Sequence, residues 1–227
     1  MIRIIKKISN FWSSNYSLTL LLIILVFYLF VLIPQIRDGD KDKIFTGIFF
    51  SVLLVTGVAS VVNERKYKIL ILVFASLTFL TRWFASVIHS DARLFSDISS
   101  IIYFMILSFI ITKHIFNNKK IDIHKIMGAV VLYLLIGLIF AYIYSILDFF
   151  NPDSFIVSVA EPFENYEAKS YYYSFITLTT TGFGDVIPAT ALARNFTVME
   201  SLIGQLFPVI LIARLVSIEI AHKAEKK

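Results

Sequence analysis

The sequence predicts an all-α membrane protein, on three observations. The chain of 227 residues is 58% hydrophobic, against roughly 45–50% for soluble domains, and its mean hydropathy is +0.80. Six apolar segments, near 17–36, 44–62, 68–89, 94–116, 126–149 and 189–221, approach or exceed the length of about 20 residues that a membrane helix needs. Basic residues cluster in every second connection between them. Little chain is left for a separate soluble domain of ordinary size.

The basic clusters orient the chain. Arg3, Lys6 and Lys7 precede the first segment; Arg65, Lys66 and Lys68 lie between the second and third. Lys113, Lys119, Lys120 and Lys125 lie between the fourth and fifth, and Lys223, Lys226 and Lys227 follow the sixth. All four groups fall on one side if both termini are cytoplasmic, as positive residues prefer. The opposite side carries Asp148, Asp153, Glu161, Glu164 and Glu167 against Lys169. The loop from Arg37 to Lys43 dissents, with three basic residues on the outer side balanced by three aspartates. The net charge of +5 therefore reads as membrane orientation and not as nucleic-acid binding. With no cysteine, disulfides and thiolate metal sites are excluded.

Taken in order, residues 1–16 read as an interfacial amphipathic helix. Met1, Ile4, Ile5, Ile8, Phe11 and Trp12 recur at helical spacing opposite Arg3, Lys6, Lys7 and Asn10, a pattern suited to anionic lipid. A signal peptide fits less well, because no small-residue cleavage site follows the apolar run. Residues 17–116 form a peripheral four-helix bundle. Arg82, in its third helix, is a costly intramembrane charge that calls for a partner; Asp97 or Asp91 is expected to supply it. His89 reads as an interfacial histidine. Residues 117–125 are a polar cytoplasmic linker, 126–221 the last membrane unit, and 222–227 a cytoplasmic tail.

The most informative stretch is Thr177-Leu-Thr-Thr-Thr-Gly-Phe-Gly-Asp185, between the last two apolar segments. It resembles the potassium-channel selectivity filter, commonly Thr-Val-Gly-Tyr-Gly-Asp. The resemblance is strong over 126–221 and loose over the first four helices, and it is to bacterial six-transmembrane channels of the voltage-gated-like superfamily, without a working voltage sensor. It implies six transmembrane helices, a re-entrant pore helix and selectivity-filter loop between helices five and six, and a tetramer. One filter per chain needs four chains for a ring, most simply a homotetramer. The physics accounts for the residue types. A dehydrated ion needs replacement oxygens, and backbone carbonyls can provide them. A backbone that turns successive carbonyls to one side alternates its handedness, which Gly182 and Gly184 permit. The expected K+ ligands are the carbonyls of Thr180, Thr181, Gly182 and Phe183 and the hydroxyl of Thr180, with Gly184 closing the filter.

The resemblance also sets expectations around the filter. Residues 169–180 form the pore helix, with its negative C-terminal end towards the ion. Tyr172 and Tyr173 form an aromatic cuff, and Tyr171 belongs to the cuff or to an interfacial belt. Phe183 replaces the usual Tyr, and Thr181 the usual Val. Ile176 stands where some relatives carry an acid, so Asp185 needs another partner, for which Tyr172 is the candidate. Pro188 begins the inner helix. Gly204, 21 residues after Phe183, is a hinge or a close-packing site. Pro208 is expected to kink the helix. Gln205, Pro208, Ile212 and Val216, spaced three, four and four, line the inner pore with Gly204, and Ile212 and Val216 can gate it by dewetting. Glu200 faces the pore or lies behind the filter, and Arg214 faces the subunit boundary or the inner interface. The fourth segment holds Asp97 and no arginine array, so a working voltage sensor is not expected.

The function so implied is passive, potassium-selective conduction, with a weakly selective cation channel as the alternative. A transporter would be expected to show an inverted repeat, and no catalytic motif suggests an enzyme. No cofactor is expected beyond K+ as permeant ligand. The expected partners are three further copies and membrane lipid, without nucleic acid or a soluble regulatory domain in the chain. The expected location is a cell membrane, prokaryotic inner membrane in type.

Overall fold

The computed structural model describes residues 16–32, 40–60, 65–87, 91–116, 123–158, 163 and 166–224. Helix α1 (Tyr16–Phe27) passes into a π-helical turn, Tyr28–Leu32; α2 (Asp40–Ser60), α3 (Arg65–Val87) and α4 (Asp91–Phe116) follow. Then come α5 (Ile123–Phe150), a 3₁₀ turn (Pro152–Ser154), β1 (Phe155–Val157), α6 (Tyr166–Leu178), β2 (Val186–Pro188) and α7 (Ala191–Ala224).

Among the described residues, three helices are long and apolar enough to cross a membrane, over Arg93–Lys113, Lys125–Phe150 and Ala191–Arg214. The first three contribute shorter apolar stretches, Leu18–Phe30, Phe45–Ser60 and Ile69–Trp83. Two of these helices open on charged sequence, α2 on Asp40-Lys-Asp-Lys43 and α3 on Arg65-Lys-Tyr-Lys68. The expected interfacial segment at 1–16 except Tyr16, most of the linker at 117–125, His89 and the end of the tail lie outside the described residues.

Helix α5 is the hub. Helices α1, α4, α6 and α7 all pack on it, while α2 and α3 join α1 to α4 around the rim. Its apolar length suits this role: 61% of its spanning window is buried, against 11% for α7. The main core runs from Leu21, Leu25 and Tyr28 through Phe50, Tyr103 and Phe104 to Leu135, Leu138 and Tyr142. A second cluster forms behind the 179–185 loop from Phe140, Tyr144, Phe155, Tyr173, Ile176 and Val186.

Two features depart from expectation. The short helix α6 spans 166–178, where 169–180 was expected. It starts earlier because Glu167 in its first turn suits the positive helix end. It stops earlier because Thr180 takes a left-handed φ of +57°, which no right-handed helix holds. The second is a small antiparallel ribbon, in which Phe155, Ile156 and Val157 pair with Pro188, Ile187 and Val186, so Pro188, expected to begin the inner helix, closes β2 and α7 starts at Ala191. The β-branched run after Pro152 carries the ribbon's signal.

Candidate functional site

The site is the loop 179–185 between α6 and β2. Positive φ values recur at alternate residues: Thr180 (57°), Gly182 (51°) and Gly184 (79°). The glycines take this conformation at little cost. Threonine is β-branched, so its left-handed backbone is strained and needs enforcement by its surroundings. That enforcement is visible in the turn at the end of α6. The Thr180 amide donates to Thr177 O at 2.9 Å, and the amides of Thr181 and Gly182 both donate to Ile176 O, at 2.8 and 3.1 Å. The amides thus turn back into the helix end. Among the described residues no hydrogen bond is donated to the carbonyls of Thr180, Thr181, Gly182 or Phe183.

The two ends of this loop are fixed from behind. Tyr172 donates its hydroxyl to Asp185 Oδ2 at 2.5 Å, the partnership expected from Ile176 being apolar. Burial, then the acceptor Asp185, push the Tyr172 phenol up to about 12, so it remains a donor at neutral pH. The backbone of Asp185 accepts from the Ser158 amide at 2.7 Å, and the Ala189 amide donates to Ser154 O at 2.8 Å. Those bonds extend the β1–β2 pairing to both sides, so the ribbon clamps the segment leaving the loop. Phe155, Val157 and Ser158 are thus supporting residues that the motif does not reveal. Thr181 does not pack into the cluster behind the loop. Its side chain is exposed, and its hydroxyl lies 2.9 Å from that of Thr179. Phe183 is 69% exposed in the single chain.

The tyrosines of α6 part company. Tyr172 serves the loop. Tyr173 is buried against Tyr144 and Phe155 and shares a 2.7 Å hydrogen bond with Thr197 of α7. Tyr171 belongs to neither cuff nor belt: it is buried in the main core, edge-on to Tyr142.

The charges also pair differently from expectation. Arg82 does not take Asp97 as its ion-pair partner, and the Asp91 side chain lies outside the described residues. Arg82 Nη2 lies 2.9 Å from Glu167 Oε2, in the first turn of α6, with the guanidinium 4.6 Å from the Phe50 ring centre. Asp97 instead accepts from the Ser145 hydroxyl at 2.7 Å and lies 3.9 Å from Arg93 Nε. Lys169 pairs with Asp148 at 2.8 Å. Sequence spacing could not find the Arg82–Glu167 pair, because 85 residues separate the partners.

On α7, Gly204 is a packing site. A Cβ there would stand 1.9 Å from Leu178 O, so only glycine lets α7 meet the end of α6. It therefore does not share the open face of Gln205, Ile212 and Val216, which are exposed; Pro208 is half-buried and the helix runs on through it. The same Leu178 carbonyl accepts from Tyr133 of α5 at 3.0 Å, another support outside the motif. Glu200 lies behind the loop and is fully buried, between Ser174 of α6 and Tyr144 of α5. Arg214 is half-buried. Among the described residues no group of three His, Asp or Glu side chains converges to hold a metal.

Residues 128–220 match the family model described as an ion channel. The match begins in the second turn of α5, takes in α6, the loop and the ribbon, and ends near the close of α7. It supports an ion channel, and the apolar helices within it support a membrane protein. No curated protein matches the chain.

Proposed function

We propose that the chain forms a passive, potassium-selective channel from four copies. In this reading all six apolar helices cross a cell membrane, prokaryotic inner membrane in type, with both termini in the cytoplasm. The carrying observation is the alternation of handedness at Thr180, Gly182 and Gly184, with amides turned into α6 and four successive carbonyls unbonded. Alternating handedness turns neighbouring carbonyls to one side, and one chain presents only one quarter of a ring. Thr180 adds its hydroxyl at the inner end. Helix α7 supports the tetramer: it is long and apolar, yet 11% of its spanning window is buried within the chain. Copies of the chain would cover part of it, and Gln205, Pro208, Ile212 and Val216 would line the inner pore. The fourth helix lacks an arginine array, so the channel is not voltage-gated in the usual way.

A second reading, a weakly selective cation channel, draws on two details. The Thr181 hydroxyl engages Thr179 instead of the wall behind the loop, and Phe183 has no hydroxyl to bind it there. The reversal potential of purified protein in a planar bilayer, with potassium on one side and sodium on the other, separates the readings. A value near the potassium equilibrium potential is expected. A robust current reversing near zero would support the second reading, and Phe183→Tyr would then be expected to move it towards potassium.

A further inference from the structure

We infer that Glu200 is held as a neutral carboxylic acid, and that in this form it positions α6 behind the loop by joining α5, α6 and α7. The argument is a count of hydrogens. Three close oxygen contacts run in series: Tyr144 Oη to Glu200 Oε2 at 2.5 Å, Glu200 Oε1 to Ser174 Oγ at 2.5 Å, and Ser174 Oγ to Gly137 O at 2.7 Å. Each contact needs one hydrogen between its oxygens. Ser174 and Tyr144 bring one each, and the Gly137 carbonyl brings none. A carboxylate would leave two hydrogens for three contacts, with one pair of oxygens facing each other bare. A carboxylic acid brings the third. Tyr144 then donates to Oε2, Glu200 donates from Oε1 to Ser174, and Ser174 donates to Gly137 O.

The surroundings agree. Glu200 is 0% exposed, and an isolated buried carboxylate is costly enough that neutralisation is the usual outcome. The titratable groups around it among the described residues are phenols: Tyr144 and Tyr133 of α5, and Tyr173 of α6, the last bonded to Thr197. The salt bridges Arg82–Glu167, Arg93–Asp97 and Lys169–Asp148 lie elsewhere. The series is short, fully bonded and spans three helices, so a shift of α6 relative to α5 and α7 must break part of it.

The consequence for conduction rests on the channel reading; the protonation state does not. The test is an infrared difference spectrum of the purified protein in lipid at neutral pH, parent against Glu200→Gln. Loss of a single carboxylic-acid C=O band on substitution is expected. Ser174→Ala, which removes the acceptor of that acid, is expected to shift the same band. Loss of a carboxylate band pair in its place would overturn the inference. So would failure of Glu200→Gln to fold, since an amide matches the acid in size and can make each bond. Where the protein conducts, Glu200→Gln is expected to keep the parent's potassium-to-sodium ratio and Glu200→Ala to lower it. Equal loss in both variants would mean that charge, not the hydrogen-bonded tie, is what the site requires. A protein that does not conduct at all would count against the channel and leave the infrared result standing.

Discussion

The two ends of α6 are held by opposite means. At its N-terminus a full ion pair, Arg82 with Glu167, ties it to the peripheral helices. At its C-terminus every described support is neutral: the Tyr133 hydroxyl on Leu178 O, the amides of Thr180, Thr181 and Gly182, and the bare backbone of Gly204. Helix electrostatics explains the difference. An acid suits the positive end, and its arginine then offsets the cost of burying it. On the proposed channel reading, a fixed cation at the negative end would compete with the permeant ion. Strength of attachment and freedom of the field are thus divided between the two ends.

The sharpest way to break the neutral end is Gly204→Ala. Its methyl would meet backbone at Leu178, not a side chain able to swing away. The cost is expected to exceed the about 1–3 kcal/mol of ordinary overpacking, read as loss of folded, assembled protein on a thermal melt. Glu200→Gln in the same assay would be expected to remain close to the parent.

The charged end is next. Removing one partner of a buried pair costs about 3–5 kcal/mol. The side chains of Arg82 and Glu167 keep 13% and 18% exposure, so Arg82→Met or Glu167→Gln is expected to cost about 2 kcal/mol. The double variant is expected to recover part of that, which a double-mutant cycle reads directly. Strict additivity would show that the pair does not tie the bundle to α6.

The smallest effect sharpens the comparison at the loop itself. Tyr172→Phe removes one hydrogen bond to a carboxylate, about 1.5–3 kcal/mol when the acceptor is charged, with the lower end expected at this part-exposed site. It is expected to speed the decay of current or lower selectivity without unfolding the protein. The pH dependence follows from the raised phenol, whose folded value of about 12 lies above its ordinary 10. Its contribution is complete below pH 10 and is lost as pH rises through about 12. Current from the parent that was independent of pH across 10–12, with Tyr172→Phe behaving alike, would count against a role for this bond.

Legibility followed the range of the interactions. The alternation at Gly182 and Gly184 could be read from the chain, because glycine spacing is a local signal, and the Tyr172–Asp185 bond from the resemblance to the potassium-channel filter, in which Ile176 stands where some relatives carry an acid. Thr180 in a left-handed conformation could not, since threonine resists it and only the hydrogen bonds at the end of α6 impose it. Arg82 was legible as a charge needing a partner, but not the partner, and Glu200 was legible as a buried acid with two possible faces.

The membrane class, the long apolar helices and the residues of the candidate filter follow from the amino-acid order, because hydropathy, glycine spacing and helix breakers act over a few residues. The tertiary structure alone decided that Gly204 packs against Leu178, that Tyr171 leaves the loop for the main core, that β1 clamps β2, and that Glu167 takes Arg82. Each of these joins residues from different elements. Contact across such distances depends on how helices cross and turn, and that is fixed only when all of their buried faces are satisfied together.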